Sequence, residues 1–380
     1  YTTSAYFGFL IKQSTASFFQ KHFFDDIEIK AFVPDVTPPV ILSATAISGS
    51  SVDVLFDEPL ETTASQVAAN YVVNNNIGAA ATALLDAGNP ALVHLTFNTG
   101  FPNGVVNTLT VNGIQDLAGN TLSNATASFS FYTPQQYDIV IDEIMADPTP
   151  VAGLPANEWI ELRNTSAFPI NLNNWKISDG SGESGPLPNY ILQPDGFVII
   201  CTGSSVAALS PFGTTLPVTS FPSLDNTGEL LSVISAQGNI IHSVNYSVSW
   251  FQNELKKDGG WTLEMIDTKN PCSGFSNWKA STDAKGGTPG TKNSVDGTNP
   301  DQSAPQLLRA YTTDSVNIIL VFDEPLDILK AAATSNYRIS DGINISNASA
   351  LSPGFDRVSL RLSNPLQRNK AYTITTSTIT

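Results

Sequence analysis

Charge is scarce in this chain. Lys, Arg, Asp and Glu make up 14% of its 380 residues, and 18 basic residues stand against 34 acidic ones, a formal net charge of −16. So acidic a surface repels the phosphates of nucleic acids and anionic lipid headgroups. The sequence also lacks any run of about twenty apolar residues, so it predicts no membrane-spanning helix. We therefore expect neither nucleic acid nor a membrane span among its interactions.

The chain has few of the residues on which catalysis depends. Its three histidines, His22, His94 and His242, lie in separate contexts without metal-ligand spacing. His94 and His242 alternate with apolar residues, which predicts solvent-facing positions on strands. There is no G-x-S-x-G nucleophile motif, and the Gly-Gly pairs are not followed by helix patterns that would bind phosphate. The sequence thus predicts that the chain is not an enzyme.

Cysteine is also rare, with two residues in the whole chain. Cys201 ends an apolar segment, and Cys272 lies in a turn, N-P-C-S-G. In a secreted protein an even pair of cysteines indicates one disulfide, so we predict a bridge between Cys201 and Cys272. The alternative is one buried free thiol and one exposed thiol.

The chain is rich in short apolar segments and turn residues. It has 41% hydrophobic residues, 26 glycines and 24 prolines, the composition of many short strands joined by tight turns. Polar and apolar residues alternate in Asp138–Met145 and in Glu158–Asn164, which predicts two half-buried strands. Ser51–Phe56 and Leu92–Phe97 alternate in the same way. Because the length suits about three modules, we predict an all-β chain of tandem sandwiches.

One segment recurs towards the other end of the chain. F-D-E-P-L occupies Phe56–Leu60 and Phe322–Leu326, an offset of 266 (322 − 56). The same offset relates Asn70–Tyr71 to Asn336–Tyr337 and Pro39 to Pro305. One register across three landmarks predicts duplicated domains. The D-L-A-G-N turn at Asp116–Asn120 would recur at position 382 (116 + 266), so we expect the native polypeptide to be longer than this chain.

Ordered motifs connect the chain to two known families, and one further segment resembles a third kind of domain. Between Tyr137 and Val295 the motifs I-x-E-I-M-x-D-P, N-E-W-I-E-L-x-N, I-N-L-x-x-W and L-x-P-x-G-F follow one another. In this order they resemble the lamin tail domain, an immunoglobulin-like β-sandwich. The D-x-T-P-P, F-D-E-P-L and D-L-A-G-N motifs before them resemble bacterial immunoglobulin-like modules. The F-D-D-I-E-I segment within residues 1–33 resembles the last strand of a jelly-roll or lectin-like domain.

These resemblances predict four consecutive regions. Residues 1–33 are the C-terminal end of an upstream jelly-roll or lectin-like β-domain, and residues 34–134 are a bacterial immunoglobulin-like domain. Residues 137–295 are a lamin tail domain, and residues 296–380 are a second, truncated immunoglobulin-like domain. The segment Lys285–Ala304 is rich in Gly, Asn, Thr and Pro, which predicts a surface linker.

The resemblance implies a non-catalytic structural or adhesive segment of a large multi-modular protein, secreted or held on the outer cell surface. This combination of modules is similar to that of proteins exported by the type IX secretion system. The implied partners are a surface protein or a polysaccharide, and the secretion machinery during export.

Two alternatives to this function stay open. One is an accessory region of a secreted hydrolase, a nuclease or phosphoesterase, whose catalytic domain lies outside this chain. The other is a carbohydrate-binding module.

An acidic set is the first candidate site. It contains Asp142, Glu143, Asp147, Glu158 and Glu161. Two strands and their loop would gather these carboxylates, and Ca²⁺ takes six to eight oxygen ligands. The alternative is that Glu143 and Glu161 accept backbone amides at the sandwich edge and fix the hairpin. We favour the alternative because the spacing matches no calcium loop and the lamin tail resemblance implies no obligatory metal. No cofactor is expected.

The F-D-E-P-L motifs offer two acidic pairs, Asp57–Glu58 and Asp323–Glu324. Neighbouring residues on a strand point to opposite faces, so neither pair would converge on one substrate atom as a general acid and base. We therefore predict that the aspartate holds a turn that Pro59 or Pro325 stiffens.

Aromatic residues are the second candidate site. All five tryptophans fall in the predicted lamin tail region: Trp159, Trp175, Trp250, Trp261 and Trp278. Trp159 and Trp175 lie in apolar strand patterns, which predicts core positions. Trp250 and Trp278 lie near loops and are the candidates for exposed ligand contacts, such as the stacking of a sugar ring.

Overall fold

The structure is a computed structural model that describes residues 34–379. The end of an upstream domain predicted at residues 1–33, together with His22, lies outside the described residues. The chain divides into two compact units with the boundary between Phe131 and Tyr132, and each unit is described by itself. In the part of the chain that the structure describes, no helix is long and apolar enough to cross a membrane.

The described part of the first unit, from residue 34 to Phe131, is a β-sandwich of ten strands. They are β1 (Ile41–Ser48), β2 (Ser51–Phe56), β3 (Tyr71–Val73), β4 (Gly78–Ala79), β5 (Thr82–Leu85), β6 (Leu92–Thr96), β7 (Val106–Val111), β8 (Ile114–Gln115), β9 (Thr121–Leu122) and β10 (Ala125–Ser130), with helix α1 (Thr62–Ser65) and a 3-10 turn at Ala68–Asn70. The two main sheets have the orders β1-β2-β6-β5 and β10-β7-β3-β4. In β2, Val52, Val54 and Phe56 alternate with more exposed residues and fill the space between the sheets. The predicted strands at Ser51–Phe56 and Leu92–Phe97 are confirmed.

The second unit begins with a larger sandwich, which we call the central sandwich. Its strands are β11 (Ile139–Met145), β12 (Trp159–Asn164), β13 (Ile170–Asn171), β14 (Lys176–Ser178), β15 (Ile191–Leu192), β16 (Phe197–Thr202), β17 (Thr215–Val218), β18 (Leu230–Ile234), β19 (Ile240–Asn245), β20 (Leu263–Met265) and β21 (Trp278–Ala280). Its helical elements are α2 (Val206–Leu209) and 3-10 turns at Gly203–Ser205, Val248–Phe251, Lys256–Asp258 and Phe275–Asn277. A six-stranded sheet, β17-β16-β12-β11-β20-β21, accompanies the sheet β14-β18-β19 and the pair β13-β15. The predicted all-β architecture is confirmed.

Strands β11 and β12 are buried on both faces. Ile144 and Leu162 face the main apolar core, whereas Met145 and Trp159 point to the opposite face and pack in a second cluster. Sequence alternation predicted one solvent-facing side for each strand. That prediction is wrong, because another segment of the chain covers the second face.

The covering segment is residues 283–296, which we call the strap. Its residues Gly286, Gly287 and Asn293 are buried. A Cβ atom on Gly287 would lie 2.7 Å from Glu143 Oε1, so glycine lets the strap backbone come close to the sheet. The surface linker predicted at Lys285–Ala304 is therefore wrong as far as residue 296. The strap has few apolar residues because it meets the sheet through polar contacts.

The second unit continues with a smaller sandwich, which we call the third sandwich. Its strands are β22 (Leu307–Thr312), β23 (Asn317–Phe322), β24 (Tyr337–Ile339), β25 (Ile345–Ala350), β26 (Arg357–Leu362) and β27 (Ile374–Thr376), with helix α3 (Ile328–Ala331) and a 3-10 turn at Thr334–Asn336. The sheet β22-β23-β26-β25 has the same order as β1-β2-β6-β5 in the first sandwich. β24 pairs with β27 as β3 pairs with β7.

The repeated motifs make the same contacts in the first and third sandwiches. Asp57 Oδ1 accepts the Val40 amide at 2.7 Å, and Asp323 Oδ1 accepts the Gln306 amide at 2.7 Å. Each aspartate thus fixes the chain where it begins the first strand of its sandwich. The prediction was that each aspartate holds the turn stiffened by Pro59 or Pro325. The structure instead shows a bond to an amide 17 residues earlier in the chain, so the contact is structural but lies outside that turn.

The predicted disulfide is absent, since Cys201 and Cys272 are both free. Cys201 lies opposite Trp159, and Trp159 lies opposite Met145 at one end of β11. Cys272 follows Pro271, whose carbonyl lies near His242, and His242 accepts the amide of Ile141. Ile141 is four residues, or about 13 Å of strand, from Met145. A disulfide needs its two Cα atoms within about 7 Å. The bridge was therefore a wrong prediction.

Candidate functional site

Three glutamates form a row across the six-stranded sheet. Glu143 on β11 lies opposite Glu161 on β12 and also opposite Glu264 on β20. Directly opposite residues in a sheet share a face, so the three side chains lie together under the strap. All three are 0% exposed. We call them the glutamate row.

Two members of the row bind backbone amides of the strap. Glu143 Oε1 accepts hydrogen bonds from Thr262 Oγ1 at 2.6 Å and from the Thr288 amide at 2.8 Å. Glu161 Oε2 accepts the Gly290 amide. The favoured interpretation of Glu143 and Glu161 as acceptors of backbone amides is confirmed. The amides belong to the strap, however, and lie over the sheet face rather than at the sandwich edge.

Sequence reasoning missed the third member, Glu264. Its carboxylate accepts from Thr288 Oγ1 at 3.0 Å, Ser294 Oγ at 2.7 Å and the Val295 amide at 3.1 Å. The alternation Leu263-Glu264-Met265 is the pattern of a strand with one solvent-facing side, so nothing in the sequence signalled that Glu264 is buried. Its carboxylate is satisfied by partners from the strap.

Asp142 occupies a β-bulge next to the row. The register of β11 against β12 shifts between Ile141 and Glu143, which makes Asp142 the extra residue. The Asp142 carbonyl accepts from Asn293 Nδ2 at 2.9 Å, and the Ile141 amide donates to His242 Nδ1 at 2.9 Å. A strap side chain and a histidine thus satisfy backbone groups that the bulge removes from the ladder.

His242 is buried, with 1% of its surface exposed, which contradicts its predicted solvent-facing position. The Tyr137 ring packs edge-on against it at 5.8 Å, and its Nε2 lies 3.4 Å from the Pro271 carbonyl. Burial lowers the pKa of His242 to about 4, so the neutral ring accepts the Ile141 amide. The alternation around His242 did not indicate that both faces of β19 are covered.

Burial dominates the electrostatics of the acidic residues beside the strap. It raises the pKa of Asp142 to about 7 and raises the pKa of Glu143 and Glu161 well above the usual range for glutamate. Neighbouring carboxylates, among them Glu264, act in the same direction. These groups are enclosed by the strap, so the arrangement serves attachment of the strap rather than contact with a substrate.

The other two members of the predicted acidic set lie apart from the row. Asp147 Oδ1 accepts the Thr149 amide at 3.3 Å, and Glu158 Oε2 accepts the Leu224 amide at 3.1 Å. The structure therefore brings Asp142, Glu143 and Glu161 together and leaves Asp147 and Glu158 outside.

Side chains that could hold a metal ion meet at another place in the first sandwich. Asp35, Glu58 and Asp116 each place a carboxylate oxygen within 4.8 Å of the other two. The D-x-T-P-P, F-D-E-P-L and D-L-A-G-N motifs thus converge in space. Three carboxylates are the ligands that a hard cation such as Ca²⁺ prefers.

A second such group lies where the central and third sandwiches face each other. It consists of Cys272, Asp301 and Glu324. Asp301 and Glu324 stand at the 266-residue offset from Asp35 and Glu58 (301 − 35; 324 − 58). Burial, with Asp301 and Asp323, raises the pKa of Glu324 to about 7. A thiol replaces the third carboxylate, and thiolates favour softer metals than calcium.

The structure places three of the tryptophans in the core, one more than predicted. Trp159 and Trp175 are core residues as predicted, but Trp278 is 0% exposed and is a core residue too. Trp278 is therefore not a ligand contact, because its strand β21 pairs with β20 and the turn that carries Trp250 lies over it. Trp250 is half-buried, with its ring centre 6.1 Å from that of Trp278.

Trp250 lines a cleft of about 350 Å³ between the central and third sandwiches. Cys272, Asp323, Glu324 and Arg357 line it as well. The cleft therefore combines one aromatic ring with several carboxylates, which accept hydrogen bonds, and with Arg357, which donates them.

His94 lies on the outer face of the first sandwich between two aspartates. Its Nδ1 is 2.7 Å from Asp53 and its Nε2 is 3.1 Å from Asp86. Hydrogen bonds to Asp53 and Asp86 raise the pKa of His94. At 38% exposure of its side chain, His94 agrees with the predicted surface position.

Family comparisons identify two domains. Residues 35–133 match the family model of the Bacterial Ig-like domain, and residues 133–247 match that of the Lamin Tail Domain. Both resemblances found in the sequence are thereby confirmed, and neither fold is a catalytic one. The strap and the third sandwich lie beyond the two matched ranges. No curated protein matches the chain.

Similar solved structures include the N-terminal part of the bacterial S-layer protein SbsC, at a TM-score of 0.29 and 11% identity, covering 56% of this chain and 44% of that one. FdeC, an Escherichia coli adhesin, has a TM-score of 0.19 and 11% identity, covering 89% and 92%. An L,D-transpeptidase from Mycobacterium smegmatis has a TM-score of 0.20 and 11% identity, covering 48% and 90%. This chain thus spans less than half of the S-layer fragment. At these TM-scores the likeness carries no argument about function.

Proposed function

We propose that this chain, in which a bacterial Ig-like domain precedes a lamin tail domain, is a non-catalytic structural and adhesive segment of a larger multi-modular protein. That protein is secreted or held on the outer cell surface. The proposal rests on what the polar residues of the repeated motifs do.

The motif residues are committed to internal contacts. Asp57 and Asp323 each bind a backbone amide of their own sandwich. Tyr71 Oη donates to the Ser65 carbonyl at 2.8 Å, and Tyr337 Oη donates to the Ala331 carbonyl at 2.7 Å. The same hydrogen bonds thus occur in the first and third sandwiches, and they stabilise the fold. A repeated domain whose motif residues stabilise the fold suits a spacer or scaffold.

Location and activity together test this proposal. An antibody against the central sandwich should detect, in fractionated source cells, a band well above 40.5 kDa at the outer surface. The purified chain should cleave neither nucleic acids nor phosphoesters. Hydrolysis by the pure chain that one substitution abolishes would contradict the proposal. Hydrolysis found only in the intact protein would support the accessory region of a hydrolase instead.

We further propose export through the type IX secretion system, on the resemblance of the module combination alone. Deletion of the outer-membrane translocon of that system should remove the protein from the surface and from the medium. An unchanged amount at the surface would contradict this route.

The second candidate function is binding of a polysaccharide at the cleft beside Trp250. A flat aromatic ring next to carboxylates suits a ligand with many hydroxyl donors and little negative charge. Glu324, which lines the cleft, is placed to accept a hydrogen bond from such a ligand. Anionic glycans would be repelled by the same carboxylates.

Retention on immobilised neutral and acidic polysaccharides tests this candidate. Trp250→Ala should reduce retention on a neutral polysaccharide, because the ring face is lost. Trp261→Ala is the matched control, since Trp261 packs under Lys256 outside the cleft. Equal retention of the native chain and Trp250→Ala would rule out the cleft as the binding site.

A further inference from the structure

The glutamate row contains oxygen atoms that no protein donor reaches. In the described part of the chain, Glu143 Oε2, Glu161 Oε1 and both carboxylate oxygens of Asp142 are buried without a hydrogen-bond partner. An enclosed carboxylate oxygen without a partner is expensive, since it has lost its water and gained nothing in return. These orphaned atoms require an explanation.

The partnered oxygens define where the orphaned ones lie. Glu143 Oε1 is held by Thr262 and by the strap amide of Thr288. Glu161 Oε2 is held by the strap amide of Gly290. Because Glu143 and Glu161 stand opposite each other on one sheet face, the remaining oxygen of each lies in the enclosed space that they share beneath the strap.

Two ionised carboxylates cannot occupy this space together. Like charges in adjacent buried positions repel strongly, and such pairs retain a proton between them. A metal ion is the other way to balance the charge. Among the described residues, however, the three-ligand groups with metal-like spacing are the two at Asp35 and Cys272, and the glutamate row is not one of them.

We propose that Glu143 and Glu161 share one proton, and that this proton latches the strap onto the sheet. A protonated carboxyl supplies the missing donor to its neighbour. It leaves the outer oxygens of both residues available to the Thr288 and Gly290 amides. This inference does not depend on the proposed function.

The charges around the pair favour retention of the proton. Asp142 and Glu264 face it from β11 and β20 and are both acidic. Arg163 on β12 is engaged by Asp296 of the strap at 3.4 Å. Lys292 of the strap lies 2.7 Å from the other oxygen of Asp296. Arg163 and Lys292 are thus paired with Asp296 rather than with the glutamates. Lys256 lies near Glu264, but its ammonium donates to the Ser281 carbonyl and lies over the Trp261 ring.

The direction of the pH effect follows. Burial and neighbouring carboxylates raise the pKa of Glu143 and Glu161 in the folded chain. Such groups contribute stability that is complete below the ordinary glutamate pKa of about 4.3 and is lost as pH rises through the folded pKa. Alkaline pH therefore removes the shared proton, places two charges under the strap and loosens the strap before the rest of the sandwich.

Hydrogen–deuterium exchange of the Thr288 and Gly290 amides tests the latch. After correction for intrinsic exchange, we expect their protection to fall by about tenfold or more between about pH 5 and about pH 9. Amides of β18, which belongs to the other sheet of the central sandwich, should change little. Protection of Thr288 and Gly290 that does not depend on pH over this range would overturn the proposal.

Glu161→Gln separates a shared proton from other causes. The amide oxygen of glutamine can accept the Gly290 amide, and its NH₂ group can donate permanently to Glu143 Oε2. We therefore expect the strap to stay protected at alkaline pH in this variant. Glu143→Gln serves as the second variant if the first does not fold, and Glu183→Gln, at an exposed ion pair with Lys176, is the control. Strap protection that a chelator removes from the native chain would mean a bound cation and would also overturn the shared proton.

Discussion

The first and third sandwiches share their interior contacts and differ on their surfaces. Phe56 and Phe322, from the two F-D-E-P-L motifs, are both core residues at 1% and 2% exposure. Three residues earlier on the same strand, the half-buried Asp53 faces His94 in the first sandwich, whereas the buried Ile319 faces Ser359 in the third. The core phenylalanine thus recurs in both sandwiches, and the ion pair of the first does not recur in the third.

This difference separates the residues that specify the fold from those that vary freely. A buried ring contributes several kcal/mol through packing, whereas an exposed ion pair contributes about 1 kcal/mol or less. Leu42 and Leu308 occupy equivalent positions and are 61% and 64% exposed, so their side chains should also contribute little to stability. Four predictions test how far the equivalence extends.

The largest effect is expected from the two core phenylalanines. Phe56→Ala and Phe322→Ala should each destabilise their own sandwich by about 3–5 kcal/mol, because the cavity adds to the lost burial. Denaturant titration followed by domain-resolved hydrogen exchange measures this. Leu42→Ala and Leu308→Ala are the controls and should change stability by about 0.5 kcal/mol or less. A large effect in one sandwich only would break the equivalence.

A smaller effect is expected from the buried tyrosine hydroxyls. Tyr71→Phe and Tyr337→Phe remove the hydrogen bonds to Ser65 and Ala331. Each leaves a buried carbonyl without its partner and should destabilise its sandwich by about 1 kcal/mol. The same denaturant titration measures both, and two unequal values would show that the third sandwich has a different interior at this position.

The ion pair of His94 should give the first sandwich a pH dependence that the third lacks. Its pKa is raised by Asp53 and Asp86, so its contribution is complete below the usual histidine pKa of about 6.5 and is lost as pH rises through the folded value. Because the three side chains are about one-third exposed, we expect less than about 1 kcal/mol. Unfolding of the native chain and of His94→Gln at acidic and alkaline pH measures it. A loss of stability with rising pH in the native chain that His94→Gln does not show would support the pair, and identical profiles would contradict it.

The smallest expected effect is that of metal ions. The groups at Asp35, Glu58 and Asp116 and at Asp301, Glu324 and Cys272 differ in the third ligand, but we expect no obligatory metal at either. Thermal unfolding should therefore be unchanged by a chelator, by Ca²⁺ and by Zn²⁺. Stabilisation of the first sandwich by Ca²⁺, or of the third by Zn²⁺, would identify a bound ion and contradict this expectation.

Sequence alternation predicted strands well where one face of the sheet meets solvent. β2 and β6 in the first sandwich have this arrangement, and their bounds were predicted to within a residue. Alternation failed for β11, where the strap covers the outer face, and for His242 on β19. A pattern with period two reports the difference between two faces of a strand, and it loses its meaning when both faces are buried.

The candidate site was predicted only in part, because the sequence does not show which distant segment covers a strand. Glu143 and Glu161 were found because they lie in recognisable strands, and their amide partners were expected. The source of those amides, more than a hundred residues along the chain, was not predictable, because glycine-rich and polar composition describes a linker and a strap equally well. Trp278 was misplaced because nearness to a loop in sequence says little about what packs over a strand.

The strap also decides how the central sandwich responds to mechanical tension. A pull on the chain beyond residue 296 reaches the strap before it reaches any strand of the sheet. Asn299, whose amide donates to Asp267, would be loaded first, and Gly297, whose amide donates to the Ile266 carbonyl, would be next. The contacts of Val295 and Ser294 with Glu264 would follow, and then those of Asn293, Gly290 and Thr288. The strap can thus peel away contact by contact and lengthen the chain while the six-stranded sheet stays folded.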